Sequence, residues 1–118
     1  MSNNQNRDIQ RVSDILHAIK LIHSFVADVD WETFYKSDLF QSAVIHQFHI
    51  VGEASDKISL STKTNHSNVP WRSIKSFRNL LVHEYFKIDA GELWATIKHD
   101  LPGLEEQMQH IFKELQNS

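Results

Sequence analysis

The 118-residue sequence contains no cysteine, which excludes disulfides, thiolate metal sites and cysteine nucleophiles. It has only three glycines and two prolines, so few residues interrupt helical segments. No apolar run approaches the roughly 18 residues of a membrane-spanning helix, and the polar N-terminus lacks an apolar signal region. Together these absences predict a soluble, mainly helical protein of the cytoplasm.

An excess of positive charge is also lacking. Lysine and arginine number 12 against 15 acidic residues, which gives a net charge of −3 with neutral histidines. This balance argues against a broad electrostatic surface for nucleic acid, although it is compatible with a local basic groove. The hydrophobic content of 41% supports one folded core. We predict a flexible tail over residues 1–6 and a single helical domain over 7–118.

Apolar residues recur at steps of three and four along most of the chain, as expected for amphipathic helices. This pattern covers five segments, which are 7–29, 37–58, 70–85, 89–99 and 104–115. Residues 30–34 are compatible with a turn or a brief helix, 59–69 are predicted to be a loop, and 100–103 to reset or kink the last helix. Gly52 inside a helix indicates close approach of a neighbouring helix. The fold class is therefore all-α, an up-and-down bundle of four to five helices.

Residues 78–85, Arg-Asn-Leu-Leu-Val-His-Glu-Tyr, concentrate chemically active side chains in about two helical turns. Arg78 is suited to binding phosphate, and His83 to transferring a proton near neutral pH. RNA supplies its own 2′-hydroxyl nucleophile, so cleavage without metal needs a base, an acid and positive charge at the phosphate. Arg78 and His83 are therefore the candidate catalytic residues, and Asn79, one turn from His83, is the candidate that orients the imidazole.

Arg78 and His83 are five residues apart, about 140° around an ideal helix, so they do not project together from one straight helix. The arginine stem can bend, the helix can end near His83, or a second copy can supply the missing half. The last option predicts a homodimer with two motif helices at one cleft. Arg72 and Lys75, upstream on the same helix, are candidates for binding the RNA backbone.

Spacing alone leaves other interpretations open. An arginine followed five residues later by a histidine is a weak pattern, and both residues commonly cap helices or form ion pairs. His46 and His49 lie three apart and are compatible with metal binding, but spacing reveals no third ligand. The sequence therefore predicts no metal site. Five scattered histidines are interpreted as surface residues, namely His17, His23, His66, His99 and His110. Glu53 is predicted to pair with an arginine across the bundle, with Arg78 a candidate.

The stretch from Ala43 to Leu104 resembles the HepT-like family of the HEPN superfamily. Residues 43–44 and 50–54 resemble its second-helix signature, and 69–74, Val-Pro-Trp-Arg-Ser-Ile, resemble its proline–tryptophan helix start. Residues 78–85 fit its R-x4-H-x-Y motif at every defined position, and 100–102 resemble its closing segment. The sequence departs from the family pattern at His46, where relatives often carry arginine, and at residues 76–77, which replace a small residue and a methionine.

The resemblance implies a dimeric all-α bundle and a growth-inhibitory, metal-independent endoribonuclease without a cofactor. It implies the toxin of a type II/VII-like toxin–antitoxin system, with RNA as substrate. The implied partner is a minimal nucleotidyltransferase antitoxin, which can transfer AMP onto the motif tyrosine, here Tyr85, and can form a larger hetero-oligomer with the toxin. The alternative is a catalytically silent scaffold that binds its nucleotidyltransferase.

Overall fold

A computed structural model of the chain describes residues 3–83 and 88–117. Its regular elements over these ranges are all helical, which confirms the all-α class. The α-helices are α1 Asn3–Val26, α2 Trp31–Lys36, α3 Asp38–Asp56, α4 Leu60–Asn65, α5 Trp71–His83, α6 Ala90–Ala95 and α7 Leu101–Gln116. A π-helical turn, Thr96–Asp100, joins α6 to α7, so these elements form one long helical rod.

The long helices lie where the apolar periodicity predicts them, but the helix count exceeds the predicted four to five. α1 begins at Asn3, one turn before the predicted start. α2 is the brief helix compatible with residues 30–34. α4 corrects the predicted loop: the Ser59 hydroxyl caps it by accepting from the Thr62 backbone N–H at 3.4 Å. Local capping therefore produces a helix where the polar composition suggested none.

Side-chain caps also determine where other helices begin. The Ser37 hydroxyl accepts from the Phe40 backbone N–H at 3.0 Å, which starts α3 at the predicted position. The Asp89 carboxylate accepts from the Gly91 backbone N–H at 3.1 Å and starts α6. At α5 the Pro70 carbonyl accepts from the Ile74 N–H at 3.0 Å, so the helix begins one residue after the proline.

α1 packs against both α3 and α7, and α3 packs against α5. The centre of the core consists of side chains with almost no exposed surface, which include Val12, Ile15, Ile19, Ile22, Phe34, Val44, Leu93, Ile97, Leu101, Met108 and Ile111. A buried polar network joins α1 to α4: the Asp8 carboxylate accepts from the Ser59 and Thr62 hydroxyls, each at 2.6 Å. This network holds the segment that leads into α5.

The predicted reset near residues 100–103 is a π-helical turn rather than a break. The Leu101 backbone N–H donates to the Thr96 carbonyl, five residues earlier. Pro102 has no N–H and cannot make the α-helical bond to residue 98, so the wider turn occurs beside it. Of the helices seen in residues 3–83 and 88–117, none combines the length and apolar character needed to cross a bilayer.

Candidate active site

α5 crosses α3 at Gly52, and the stem of Arg78 lies directly over that glycine. A Cβ atom added at Gly52 would lie 2.5 Å from Arg78 Cγ and still closer to Arg78 Cβ. Such separations are far inside van der Waals contact, so only glycine permits this crossing without displacement of Arg78. The close helix approach predicted at Gly52 is confirmed, and it places the motif arginine against α3.

The Arg78 guanidinium is held by two acceptors. Its Nε and Nη2 donate to Glu53 Oε1 at 3.1 and 2.5 Å, and its Nη1 donates to Asn79 Oδ1 at 3.0 Å. The predicted pairing of Glu53 with Arg78 is therefore confirmed. These bonds use three N–H groups, and the remaining ones stay available to a ligand because the Arg78 side chain keeps 28% of its surface exposed.

Glu53 carries the negative charge that pairs with Arg78. The hydrogen bond from Arg78 is the largest cause that lowers the pKa of Glu53 below its ordinary value; burial opposes it, and the charges of Arg78, His49 and Lys57 add to the lowering. His49 Nε2 lies 3.5 Å from Glu53 Oε1. The carboxylate is therefore ionised at neutral pH, and it orients Arg78 while offsetting part of the arginine's charge.

His83 occupies a different environment. It lies in the last turn of α5 that the structure describes, its surface is exposed, and its side chain makes no hydrogen bond or ion pair within 3–83 and 88–117. The Asn79 amide oxygen accepts from Arg78, a contact that the sequence did not predict, and no hydrogen bond joins Asn79 to His83 within 3–83 and 88–117. Tyr85, the predicted modification site, lies outside the residues that the structure describes.

Arg72 and Lys75 are both exposed and line a groove of about 230 Å³, here called the basic groove. Its lining residues are Gly52, Ser55, Asp56, Lys63, Trp71, Arg72 and Lys75. Lys63 adds a third cation that the sequence analysis missed, because its segment was predicted to be a loop. Since Gly52 belongs both to this groove and to the Arg78 contact, the cations lie beside the motif arginine.

Negative and polar groups limit the charge of the basic groove. Lys75 Nζ lies 3.8 Å from Asp56 Oδ1, so one carboxylate offsets part of its positive charge. The Ser55 hydroxyl lies buried under the groove and has no hydrogen-bond partner within 3–83 and 88–117. An anion in the groove would thus meet three cations and one competing carboxylate. This combination is suited to a phosphodiester backbone rather than to an isolated strong anion.

A larger groove, of about 620 Å³, is lined by a different face of α5; Gly52 lines this groove too, and neither groove includes Arg78 or His83. Its walls are mostly apolar, with Phe48, Val51, Ile74 and Phe77 among them. Size alone would favour this groove as the binding site. We assign the candidate site to the basic groove instead, because its cations complement phosphate and it adjoins the motif arginine.

The histidines follow the sequence interpretation with one exception. His17, His99 and His110 are exposed and His23 is half-buried, but His66 is buried with 8% of its surface exposed. His66 is the C-cap of α4, and its carbonyl accepts from Trp71 Nε1 at 3.0 Å. This position at a helix junction, which spacing could not reveal, removes His66 from the surface.

Comparisons with known proteins agree with this architecture. Residues 15–111 match the family described as ribonuclease HepT-like. The "Probable ribonuclease HepT" of Thermococcus cleftensis is 37% identical over 102 residues, which cover 86% of this chain and 93% of that relative. The "Putative RNase MJ1380" of Methanocaldococcus jannaschii is 34% identical over 106 residues, which cover 89% of this chain and 97% of that protein.

One relative is longer. A Methanocaldococcus jannaschii protein named "Gamma-glutamylcyclotransferase and putative RNase MJ0434" is 32% identical over 104 residues, and the chain spans 47% of its length. No solved structure matches the chain significantly. The family match covers most of the chain and includes the whole of α5 with its arginine and histidine. The chain therefore belongs to the ribonuclease HepT-like family.

Proposed function

We propose that this protein is an endoribonuclease that cleaves RNA without a catalytic metal, with Arg78 and His83 as its catalytic residues. The observation that carries the proposal is the fixed position of Arg78, which α3 holds beside a groove lined by three cations. Relatives named as ribonucleases, similar over most of this chain, support the same activity.

Cleavage begins with attack of the RNA 2′-oxygen on the adjacent phosphorus. The bond from the 2′-oxygen to phosphorus forms, the bond from phosphorus to the 5′-oxygen breaks, and the products are a 2′,3′-cyclic phosphate and a 5′-hydroxyl. The 2′-hydroxyl loses one proton and the leaving 5′-oxygen gains one. His83 carries out one of these transfers, as base or as acid, and solvent water carries out the other. The guanidinium N–H groups of Arg78 that Glu53 and Asn79 leave unused stabilise the negative charge on the phosphorane oxygens.

The substrate in this proposal is single-stranded RNA whose backbone follows the basic groove. Lys63, Arg72 and Lys75 bind phosphates upstream or downstream of the cleaved one. The Trp71 ring lines the same groove, and Lys63 Nζ lies 5.8 Å from its centroid. Binding through phosphates positions RNA without selecting a base sequence, so this groove gives affinity rather than sequence preference.

The active form in this proposal is a homodimer. Arg78 faces α3, whereas His83 is exposed and follows Val82, of which 42% is exposed. A second copy of α5 beside this exposed face would bring a histidine of one copy toward the arginine of the other. Light scattering at micromolar concentration tests this, because an active monomer would contradict it.

For the cellular role, we propose a cytoplasmic toxin of a toxin–antitoxin system, controlled by a minimal nucleotidyltransferase antitoxin. AMP on Tyr85 would add negative charge close in sequence to the arginine that binds phosphate, and would oppose RNA binding. Mass spectrometry of toxin co-expressed with the antitoxin tests for the adduct, with Tyr85→Phe as the unmodifiable control. A silenced toxin that lacks AMP on Tyr85 would mean inhibition by binding alone.

The rival function is a catalytically silent scaffold that binds a nucleotidyltransferase. The specific observation in its favour is that Glu53 Oε1 accepts two hydrogen bonds from Arg78 and so offsets the charge that RNA needs. His46, where relatives often carry arginine, leaves the surface less basic. On this alternative the motif orders α5 for its partner rather than cleaving RNA.

The deciding experiment is RNA cleavage by purified, untagged protein in EDTA, with the ends of the products identified. We expect cleavage with cyclic phosphate ends, lost in His83→Ala and retained in His99→Ala, a matched change at another exposed histidine. Equal cleavage by wild type and His83→Ala would indicate contamination and favour the scaffold. Loss of all activity in EDTA, restored by a divalent cation, would overturn the metal-free mechanism.

A further inference from the structure

Two histidines and a glutamate meet where the C-cap residue of α4 approaches α7. His66 Nε2 lies 3.6 Å from Glu114 Oε1, and His110 Nε2 lies 3.1 Å from Glu114 Oε2. One ligand atom from each residue can be chosen so that all three lie within 4.8 Å of one another. The three residues therefore form one cluster rather than two separate ion pairs.

The framework around these side chains is firm. The His66 backbone N–H donates to the Thr62 and Lys63 carbonyls at 3.1 and 3.3 Å, and the buried imidazole has a fixed origin at the C-cap of α4. His110 and Glu114 are four residues apart on α7, so they share one helical face. The buried His66 and the His110–Glu114 pair thus supply three possible metal ligands. Because both helices are already formed, binding an ion would order little additional backbone.

The donor set and its spacing suit a transition metal. Zinc binds imidazole nitrogen and carboxylate oxygen at 2.0–2.2 Å, so ligand atoms around a tetrahedral ion lie roughly 3.4 Å apart. The separations of 3.6 Å to Glu114 Oε1 and 3.1 Å to Glu114 Oε2 involve different oxygens and fall on either side of that value, and one ligand atom from each residue lies within 4.8 Å of the other two. Small rotations of the exposed His110 and Glu114 side chains would bring the third pair to the same spacing.

We propose that His66, His110 and Glu114 bind one Zn²⁺ ion, with water at the remaining coordination position. The ion would link the α4–α5 connection to α7. Because the His66 carbonyl accepts the Trp71 indole N–H at 3.0 Å, it would also secure the first turn of α5, the helix that carries Arg78. This is a structural site: none of its three residues contacts Arg78 or lines the basic groove.

The site does not depend on the proposed RNA cleavage, and its metal takes no part in that mechanism. It departs from the expectation of no metal site, which rested on sequence spacing. His66 is far from His110 in the sequence, and only the tertiary fold brings the two rings within 6.0 Å of each other. A pairing of Glu114 with protonated histidines is the competing explanation, and metal binding above neutral pH distinguishes the two.

The test uses untagged, full-length protein freed of metal with a chelator, desalted, and titrated with Zn²⁺ by calorimetry at pH 7.5. We expect one ion per chain. His110→Ala and Glu114→Gln should each weaken binding by more than about tenfold, since loss even of outer partners of metal ligands has effects of about 10–100-fold. His99→Ala, at an exposed histidine outside the cluster, is the matched control and should bind like wild type.

Two further measurements locate the ion. Co²⁺ should give visible absorption bands in the wild type that are absent in His110→Ala, and Zn²⁺ should raise the melting temperature of the wild type but not of Glu114→Gln. Both changed residues are exposed, so circular dichroism should show intact helices. No saturable Zn²⁺ binding by the wild type would overturn the proposal, as would binding that survives both substitutions or is lost instead in His49→Ala.

Discussion

The two halves of the motif on α5 are built differently. Arg78 lies over Gly52, donates three hydrogen bonds and keeps only 28% of its side chain exposed. His83, on the same helix, is exposed and has no side-chain partner within 3–83 and 88–117. The bundle therefore pre-orients Arg78, the proposed phosphate-binding group, but leaves His83, the proposed proton carrier, accessible. We infer that the substrate or a second copy of the chain orients His83.

The largest expected effect is on RNA cleavage, and the stability of the same variants distinguishes His83 from Arg78. His83→Ala should lower RNA cleavage by about 10²–10⁴-fold, the usual range for a lost general acid or base. Its stability should change by less than about 0.5 kcal/mol, because an exposed side chain without partners is removed. Arg78→Ala should lose activity and also unfold at lower denaturant, since Glu53 loses its partner and the stem over Gly52 is deleted.

Cleavage rates and urea denaturation of the same preparations check this contrast. If His83→Ala were as destabilised as Arg78→Ala, the histidine would be a structural residue, and the division of the motif into a fixed and an accessible half would be wrong.

The second prediction tests the contact between Gly52 and Arg78. Gly52→Ala should destabilise the fold by about 1–3 kcal/mol, the usual effect of overpacking, because the new methyl group overlaps the Arg78 stem. Gly103→Ala is the matched control: its added Cβ has nothing within 4 Å, so it should be neutral or stabilising by up to about 1 kcal/mol. Denaturation midpoints measure both, and equal stability of the two variants would contradict the tight crossing.

Several features of the fold and of the Arg78 contact could be predicted from the sequence. The long helices, the caps at Ser37 and Asp89, and the need for glycine at position 52 follow from local periodicity and local chemistry. The Glu53–Arg78 pair followed from opposite charges on neighbouring helices. These features depend on residues close in sequence or on a single helix-to-helix contact.

What the sequence did not predict depends on longer-range packing. α4 is held by the Asp8 carboxylate, a partner far earlier in the chain, so a polar segment that looked like a loop is helical. Lys63 enters the basic groove, and His66 becomes buried, only because α4 exists. The hydrogen bond between Asn79 and Arg78 was not predicted because helical spacing favours residues four apart, whereas the long Arg78 side chain bends back to its immediate neighbour.

The third prediction concerns the pH dependence of the fixed half. The lowered pKa of Glu53 means that its contact with Arg78 stabilises the fold above the ordinary glutamate value of 4.5. That stabilisation should be lost as the pH falls through the lowered value, when the carboxylate takes up a proton. Wild type should therefore exceed Glu53→Gln in stability at pH 7, and the difference should shrink in acid.

Urea midpoints measured from pH 7 downward give this difference directly. Glu32→Gln is the control, since Glu32 pairs with Lys36 in an exposed i, i+4 contact at 2.9 Å and should contribute little at any pH. A difference between wild type and Glu53→Gln that grew in acid would mean that the carboxylate is destabilising, and that Arg78 is held by Asn79 and Gly52 alone.

The smallest expected effect is on RNA affinity and concerns Lys75 in the basic groove. Lys75→Ala should weaken single-stranded RNA binding modestly, because Asp56 already offsets part of the charge of Lys75. If Lys75 contacts one phosphate, the slope of log affinity against log salt should fall in magnitude by about 0.7, the value for one charge on a single strand.

Lys113→Ala, which changes an exposed lysine on α7, is the matched control and should leave the slope unchanged. Fluorescence anisotropy in the inactive His83→Ala background measures both without cleavage. An equal loss of slope in the two variants would mean that RNA meets the protein through diffuse charge, and that the groove beside Arg78 is not its path.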